Sequence, residues 1–274
     1  VEKFQDVGSL RALLQYRSPF AKERDIEVYY DPRNINYISL NRIGIQQLPA
    51  IKIPSLLTLN INSNNLREFP DLNFFCENVR TLDIRNNAFY LSSIENERRF
   101  NNNILAKLPS TITSLDIRGC FRGSIAFTNK DDLATALPNL RTLYINRSGS
   151  LRFYPDSEST TQDGGLELPL VSNTVTSYQA SGNDFRRIPA DAGSGKSIKT
   201  LTDLTSFNLD GNWNLVDNNF SVFTSTLDYM NIAATRVSLP SLQNQTNLSR
   251  IYFHYNRNGS ANNSMFIPGS IDNT

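Results

Sequence analysis

Histidine, cysteine and charge are all scarce in this sequence of 274 residues. It holds one histidine, His254, and two cysteines, Cys76 and Cys120, and 19% of its residues are charged, against about 25% in an ordinary globular chain. A Ser-His-Asp or Cys-His nucleophile system needs a base beside its nucleophile, and one histidine that alternation turns outward from a strand is a poor base. Two cysteines without a CxxC pair are neither a disulfide scaffold nor a zinc or thiol-redox motif. The 27 basic and 26 acidic residues leave a formal charge of +1, so no overall basic field is present to neutralise nucleic-acid phosphates. No apolar run approaches 18 residues, which excludes a membrane-spanning helix. The chain starts at Val1 without a signal-peptide pattern, and the expectation is a processed product or a segment of a longer polypeptide. Hydrophobic residues, at 39%, suffice for a core in one large domain or two ordinary ones. Asn, present 33 times, supplies the polarity that charge does not.

Internal repetition decides the architecture. Residues 56 to 70 read LLTLNINSNNLREFP, a frame of L-x-x-L-x-L-x-x-N-x-L-x-x-F-P. Its first apolar site recurs as Ile35, Leu56, Val79, Ile112, Leu140, Val175, Leu204, Leu227 and Leu248. The second recurs as Ile38, Leu59, Leu82, Leu115, Leu143, Tyr178, Phe207, Met230 and Ile251, and the third as Leu40, Ile61, Ile84, Ile117, Ile145, Ala180, Leu209, Ile232 and Phe253. The steps between repeats run 21, 23, 33, 28, 35, 29, 23 and 21 residues, so the frame is constant while the connections vary. Three residues beyond the third site stand Ile43, Asn64, Asn87, Cys120, Ser148, Asn183, Asn212, Thr235 and Asn256. Ile43 departs from the pattern in the first repeat, where terminal repeats are commonly atypical.

This L-x-x-L-x-L-x-x-[NC] spacing, over about residues 35 to 256, resembles the leucine-rich repeat family. The lead-ins Leu108-Pro109 and Leu137-Pro138 look like bacterial and plant-type repeats. The resemblance implies an α/β solenoid: a horseshoe with a parallel concave sheet, about nine irregular repeats, and few, short convex helices. Elementary physics agrees. L-x-L has period two and sends both apolar side chains to one face of a short strand, stacked strands bury them as a continuous core, and a buried Asn satisfies backbone groups where the chain turns away.

Residues 1 to 34 read as an N-terminal cap. Phe4, Val7, Leu10, Leu13 and Leu14 suit an amphipathic helix, and Ile26, Val28 and Tyr30 alternate as a strand before Asp31-Pro32. Residues 257 to 274 form a Ser/Asn/Gly-rich tail without a comparable cap. That predicts an end covered by a further region or a neighbouring chain, because a solenoid needs a polar cap at each end. SSIENERRF, within residues 91 to 110, is a candidate convex helix; NKDDLATALP, residues 129 to 138, is a short helix ended by Pro138; residues 152 to 168 read as surface loop, with acidic spacing unlike a calcium loop.

Other motifs weigh little. ADAGSGKS, residues 190 to 197, loosely matches a phosphate-binding loop but lacks its first Gly and follows the outgoing half of a repeat rather than a buried strand. Cys120 holds a ladder position and Cys76 a connection, so no bond between them is expected. Six N-x-[ST] sequons, at Asn146, Asn219, Asn244, Asn247, Asn258 and Asn262, are what a chain rich in Asn, Ser and Thr produces by chance.

The outward strand positions form three rows on the concave face. The middle row is Ser39, Asn60, Asp83, Asp116, Tyr144, Gln179, Asn208, Asn231 and Tyr252. The row before it is Tyr37, Thr58, Thr81, Ser114, Thr142, Ser177, Ser206, Tyr229 and Arg250; the row after is Asn41, Asn62, Arg85, Arg118, Asn146, Ser181, Asp210, Ala233 and His254. Asp83 and Arg85 recur as Asp116 and Arg118, and such neighbours either pair within the sheet or meet a partner. The candidate contact residues are Asp83, Arg85, Asp116, Arg118, Tyr144, Arg147, Tyr229, Tyr252, His254 and Tyr255, the tyrosines because Tyr is enriched at interfaces. The expected function is non-enzymatic protein recognition without cofactor or metal, the partner being another protein rather than nucleic acid or a small molecule. The second expectation is a structural part of a larger assembly such as a virion, tail or cell-surface fibre. Extracellular, virion and cytoplasmic placements all fit.

Overall fold

Alternation over three residues makes the smallest strand that can bury one side chain and expose two, and the fold is built from that unit. The structure, a computed structural model, describes residues 35–48, 52–87, 89–90, 104–122, 125–127, 132–147, 151–153, 168–183, 185–186, 188, 201–216, 226–237, 246–253 and 270–272. Along the chain the strands are β1 (Tyr37–Ser39), β2 (Thr58–Asn60), β3 (Thr81–Asp83), β4 (Phe89–Tyr90), β5 (Ser114–Asp116), β6 (Phe121–Arg122), β7 (Ile125–Phe127), β8 (Thr142–Tyr144), β9 (Leu151–Phe153), β10 (Ser177–Gln179), β11 (Ser206–Asn208), β12 (Tyr229–Asn231), β13 (Arg250–Tyr252) and β14 (Ser270–Asp272). One sheet runs β1-β2-β3-β5-β8-β10-β11-β12-β13-β14. Its first nine strands are parallel and in register, one per repeat. This is the leucine-rich repeat solenoid. The three apolar sites are buried in every repeat except at Ile38, Leu40, Leu248 and Phe253, which lie half-exposed in the first and last repeats.

The connections carry little helix among the described residues. Helix α1 (Leu72–Phe75) opens at Asp71, whose side chain accepts the Phe74 N–H at 3.1 Å, and it buries Leu72 and Phe75. Helix α2 (Asp132–Ala136) lies where the sequence predicts it, before Pro138. A single 3-10 turn spans Leu105–Lys107. Two parallel pairs, β4 with β6 and β7 with β9, are too short to be seen as period-two patterns. Residues 152 and 153, expected to be loop, belong to β9. The expected cap over residues 1 to 34, the SSIENERRF helix, the ADAGSGKS loop and the rest of the acidic loop lie outside the described residues.

Within the Ser/Asn/Gly-rich tail, β14 pairs antiparallel with β13 along the edge of the last repeat strand. The physical reason is that a strand edge presents unpaired N–H and C=O groups, and a returning segment satisfies them.

Buried amides join each repeat to the one before. Asn64 Nδ2 donates to Leu40 O at 2.7 Å in the preceding repeat and to Ile61 O at 2.8 Å in its own, while its Oδ1 accepts from Ile43 N and Ile45 N, both at 3.1 Å. Asn87, Asn183 and Asn212 repeat the two donations, to Ile61 and Ile84, Ile145 and Ala180, and Ala180 and Leu209. Cys120 keeps one donation, Sγ to Ile84 O at 3.0 Å, and Thr235 donates to Ile232 O at 2.8 Å. A second set of bonds guards the approach to the strands: Ser55, Asn78, Thr111, Asn139, Thr174 and Thr226 each donate to a carbonyl of the preceding repeat.

The residue just before the ladder position has a left-handed backbone in eight successive repeats: Arg42, Ser63, Asn86, Gly119, Arg147, Gly182, Gly211 and Ala234, with φ between 50° and 67° or, at Gly211, 72°. This turn aims the ladder side chain inward. At Gly119 glycine is required twice over, since an added Cβ would lie 2.7 Å from Asn86 Oδ1. Ala234 adopts the same conformation without that freedom.

Two stability tests follow. Asn212→Ala removes two donated bonds and one accepted from Phe185 N at 3.2 Å at a fully buried site, so unfolding free energy should drop by about 3 kcal/mol. Ala234→Gly should raise it by about 0.5–1 kcal/mol by relieving the left-handed strain. Urea denaturation followed by circular dichroism measures both.

Candidate functional site

The concave face follows from the register. The middle residue of each repeat strand points into the core and its two neighbours lie on the other side, half-exposed except for buried Asp116 in β5 and exposed Tyr37, Ser39 and Arg250 toward the ends of the sheet. Strand-to-strand pairing aligns Ser39, Asn60, Asp83, Asp116, Tyr144, Gln179, Asn208, Asn231 and Tyr252 in one row.

A connected polar chain crosses the second to fifth repeats on this face. Asn62 Nδ2 donates to Asn60 Oδ1 at 2.6 Å and to Asp83 Oδ2 at 3.1 Å. Arg85 lies between two carboxylates, its Nε 3.3 Å from Asp83 Oδ2 and its Nη1 3.7 Å from Asp116 Oδ2. Arg118 grips Asp116 with Nε at 2.9 Å and Nη2 at 2.6 Å, the forked geometry that favours Arg over Lys. Its guanidinium sits 5.0 Å from the Tyr144 ring centroid. Asp116 is only 8% exposed. Burial, and then the neighbouring Asp116 carboxylate, raise the Asp83 pKa above its ordinary value, against the lowering effect of the Arg85 N–H, its guanidinium and Asn62. The hydrogen bonds to Asp116 raise that of Arg118.

The middle row also has a structural duty that sequence reasoning missed. Asn60, Asp83, Asp116, Asn208 and Asn231 each accept, through Oδ1, the backbone N–H two residues ahead, at 3.0–3.3 Å. Only Asn and Asp make this closure readily, which accounts for their recurrence where the chain leaves the strand. The pattern Asx-x-[Asn/Arg/Asp/Ala] around the third apolar site of these five repeats was the available signal.

The other candidates divide. Tyr229 and Tyr252 come together at the C-terminal end, ring centroids 5.8 Å apart, with Arg250 5.8 Å from the Tyr229 ring centroid. Arg147 is exposed but occupies the left-handed turn beyond β8, its side chain lying over Gly182 of the next repeat rather than on the strand face. His254 and Tyr255 lie outside the described residues. The structure therefore brings together Asp83, Arg85, Asp116, Arg118 and Tyr144 as one group and Tyr229 and Tyr252 as another. Cys76 and Cys120 are both free and buried. Burial pushes the Cys76 thiol up to about 12 and the Cys120 thiol higher still, so neither is a thiolate at neutral pH. Among the described residues no cluster of His, Cys, Asp and Glu is arranged to hold a metal ion, and no helix is long and apolar enough to cross a membrane.

No protein-family model matches the chain, and no curated protein matches it. Solved structures do. The chain is similar to YopM, a leucine-rich effector protein from Yersinia pestis, with 19% identity and a TM-score of 0.51 over 80% of this chain and 48% of that one. Matches to the functional domain of InlJ from Listeria monocytogenes (14% identity, TM-score 0.31, 81% of this chain and 54% of that one) and to a chain in the octameric complex of Latrophilin 3, Unc5D and the leucine-rich repeats of FLRT2 (15%, 0.41, 81% and 74%) are looser. The chain spans about half the length of the first two. The YopM match agrees with the solenoid fold described above.

The carboxylate environment fixes a pH response. Folded Asp83 holds its proton more tightly than the unfolded chain does, so its contribution to stability is present at low pH and declines as pH rises through the carboxylate range. Measured against Asp83→Asn by urea denaturation, the wild type should lose relative stability as pH rises through and beyond the ordinary Asp pKa of about 3.9. A relative gain over the same rise would reverse the assignment.

Proposed function

We propose that this chain is a non-enzymatic recognition module that binds another protein on its concave sheet. The observation that carries the reading is the preformed chain Asp83–Arg85–Asp116–Arg118, ending on the Tyr144 ring, on the solvent side of a sheet whose other face is core. Side chains already held by one another lose little freedom when a partner arrives, so more of the contact energy appears as affinity. Arg and Tyr are also the residue types that dominate interface energetics. Tyr229 and Tyr252, with Arg250 beside them, offer a second contact area three strands beyond β8, and Arg147 offers a cation at the rim. His254 and Tyr255, close after Tyr252 in the sequence, belong to the same proposal on the sequence frame alone.

The test begins with native purification and cross-linking mass spectrometry to name the partner, followed by affinity measurement with the purified pair. Asp116→Ala combined with Tyr144→Ala should weaken binding at least about thirtyfold, the scale of losing a hot spot, with circular dichroism confirming that the solenoid remains folded. Unchanged affinity in a folded double variant would remove the concave face from the interface.

A further inference from the structure

We infer that the Arg85 and Arg118 guanidiniums together seat a carboxylate from an acidic segment of the protein that binds the concave sheet. The inference rests on the protein-recognition reading and names the chemistry of that partner. The two arginines hold the same position in successive repeats, each two residues beyond the register pair Asp83 and Asp116. Both reach down to one oxygen: Asp116 Oδ2 lies 3.7 Å from Arg85 Nη1 and 2.6 Å from Arg118 Nη2. Two cations that would repel each other in the open are drawn together by the carboxylate beneath them.

The four charges of this group cancel, but they are not equally reachable. The Arg85 and Arg118 side chains are 37% and 34% exposed, those of Asp83 and Asp116 19% and 11%, so an approaching partner meets guanidinium first. Donors remain for it, because a guanidinium carries N–H groups on all three nitrogens. Arg118 spends Nε and Nη2 on Asp116, and Arg85 spends Nε on Asp83 and Nη1 on Asp116. Among the described residues Arg118 Nη1 and Arg85 Nη2 meet no acceptor.

The surroundings select the sign of the ligand. The row continues as Asn41 and Asn62 on one side and as Asn146 and Ser181 on the other, so the arginine pair is its only charge across six repeats. Exposed Arg147 stands at the rim as a further cation. A basic segment would be repelled by the arginines before it reached Asp116, and an uncharged apolar one would leave the outward donors unpaired as water is expelled. A carboxylate brings two acceptors in the plane that a guanidinium fork requires. Arg118 is already oriented for it, by the fork on Asp116 and by the Tyr144 ring 5.0 Å away, so little freedom is lost on binding.

The experiment titrates the full chain into fluorescein-labelled hexaglutamate, hexaglutamine, hexalysine and a phosphoserine peptide matched in charge to hexaglutamate, read by fluorescence anisotropy at low salt. Hexaglutamate should bind at least about tenfold more tightly than the other three, and Arg85→Gln with Arg118→Gln should weaken it about tenfold or more. Loss of Arg118 leaves Asp116 buried without its partner, so the double variant can fail to fold, and Asp83→Asn supplies a second reading. It removes one of the two carboxylates that hold Arg85 while Asn keeps the Oδ1 acceptor for the Arg85 N–H, and it should tighten hexaglutamate about threefold. Circular dichroism checks the fold of each variant. Equal binding of hexaglutamate and hexaglutamine, preference for hexalysine or for the phosphoserine peptide, hexaglutamate affinity unchanged in a folded double variant, or weaker binding by folded Asp83→Asn would each overturn the inference. Failure here with natural-partner binding still sensitive to Asp116→Ala and Tyr144→Ala would leave the protein-recognition reading standing and remove only the acidic chemistry.

Discussion

A buried carboxamide that holds two neighbouring repeats at once is the interaction on which the rest of this solenoid depends. Each repeat leaves its strand inside the core, where unpaired carbonyls cost about 1–3 kcal/mol apiece. Asn is the side chain with both the donors and the acceptor to serve them. Because Asn64, Asn87, Asn183 and Asn212 each donate to their own repeat and to the one before, folding one repeat without its neighbour leaves the amide half-used. Stability of this kind is shared between neighbours rather than stored within units.

At two of the junctions that lack a ladder Asn, a second device is present. Cys120 has one weak donor, and the next ladder position is Ser148. These are the two junctions spanned by the short parallel pairs: β4 with β6 joins the third repeat to the fourth, and β7 with β9 joins the fourth to the fifth. The contact of Arg85 with Asp116 crosses the first of these junctions on the opposite face. Backbone pairing on one side and charge on the other replace what the amide supplies elsewhere. The same polar chain is the proposed contact strip, so that strip lies on the part of the stack where the ladder Asn gives way to Cys120.

Much of this was legible in the residues. The apolar frame located all nine repeat strands and the Asn positions, and alternation alone placed Asp83, Arg85, Asp116 and Arg118 on one face. The left-handed turn was harder to see, because its backbone is imposed on Arg42, Ser63, Arg147 and Ala234 by the ladder residue that follows, and local preference favours it only at Gly119, Gly182, Gly211 and Asn86. The Asx closures were hidden by ambiguity of another sort: an Asn that faces solvent looks free to bind until its backbone bond is seen. Strands of two or three residues such as β4, β6 and β14 carry no periodicity to detect, since their existence depends on a neighbour many residues away.

The uneven connections have a mechanical meaning. Between the third and fifth repeats, adjacent repeats share a second strand pairing, β4–β6 and β7–β9, whereas described junctions nearer either end are joined beyond the main sheet by ladder amides and by single backbone bonds such as Asn65 N to Ile45 O and Val216 N to Arg186 O. Tension applied along the stack would therefore load different bonds in different places: buried amides toward the ends, and a second backbone ladder in the middle, where the ionic part of the concave face is carried.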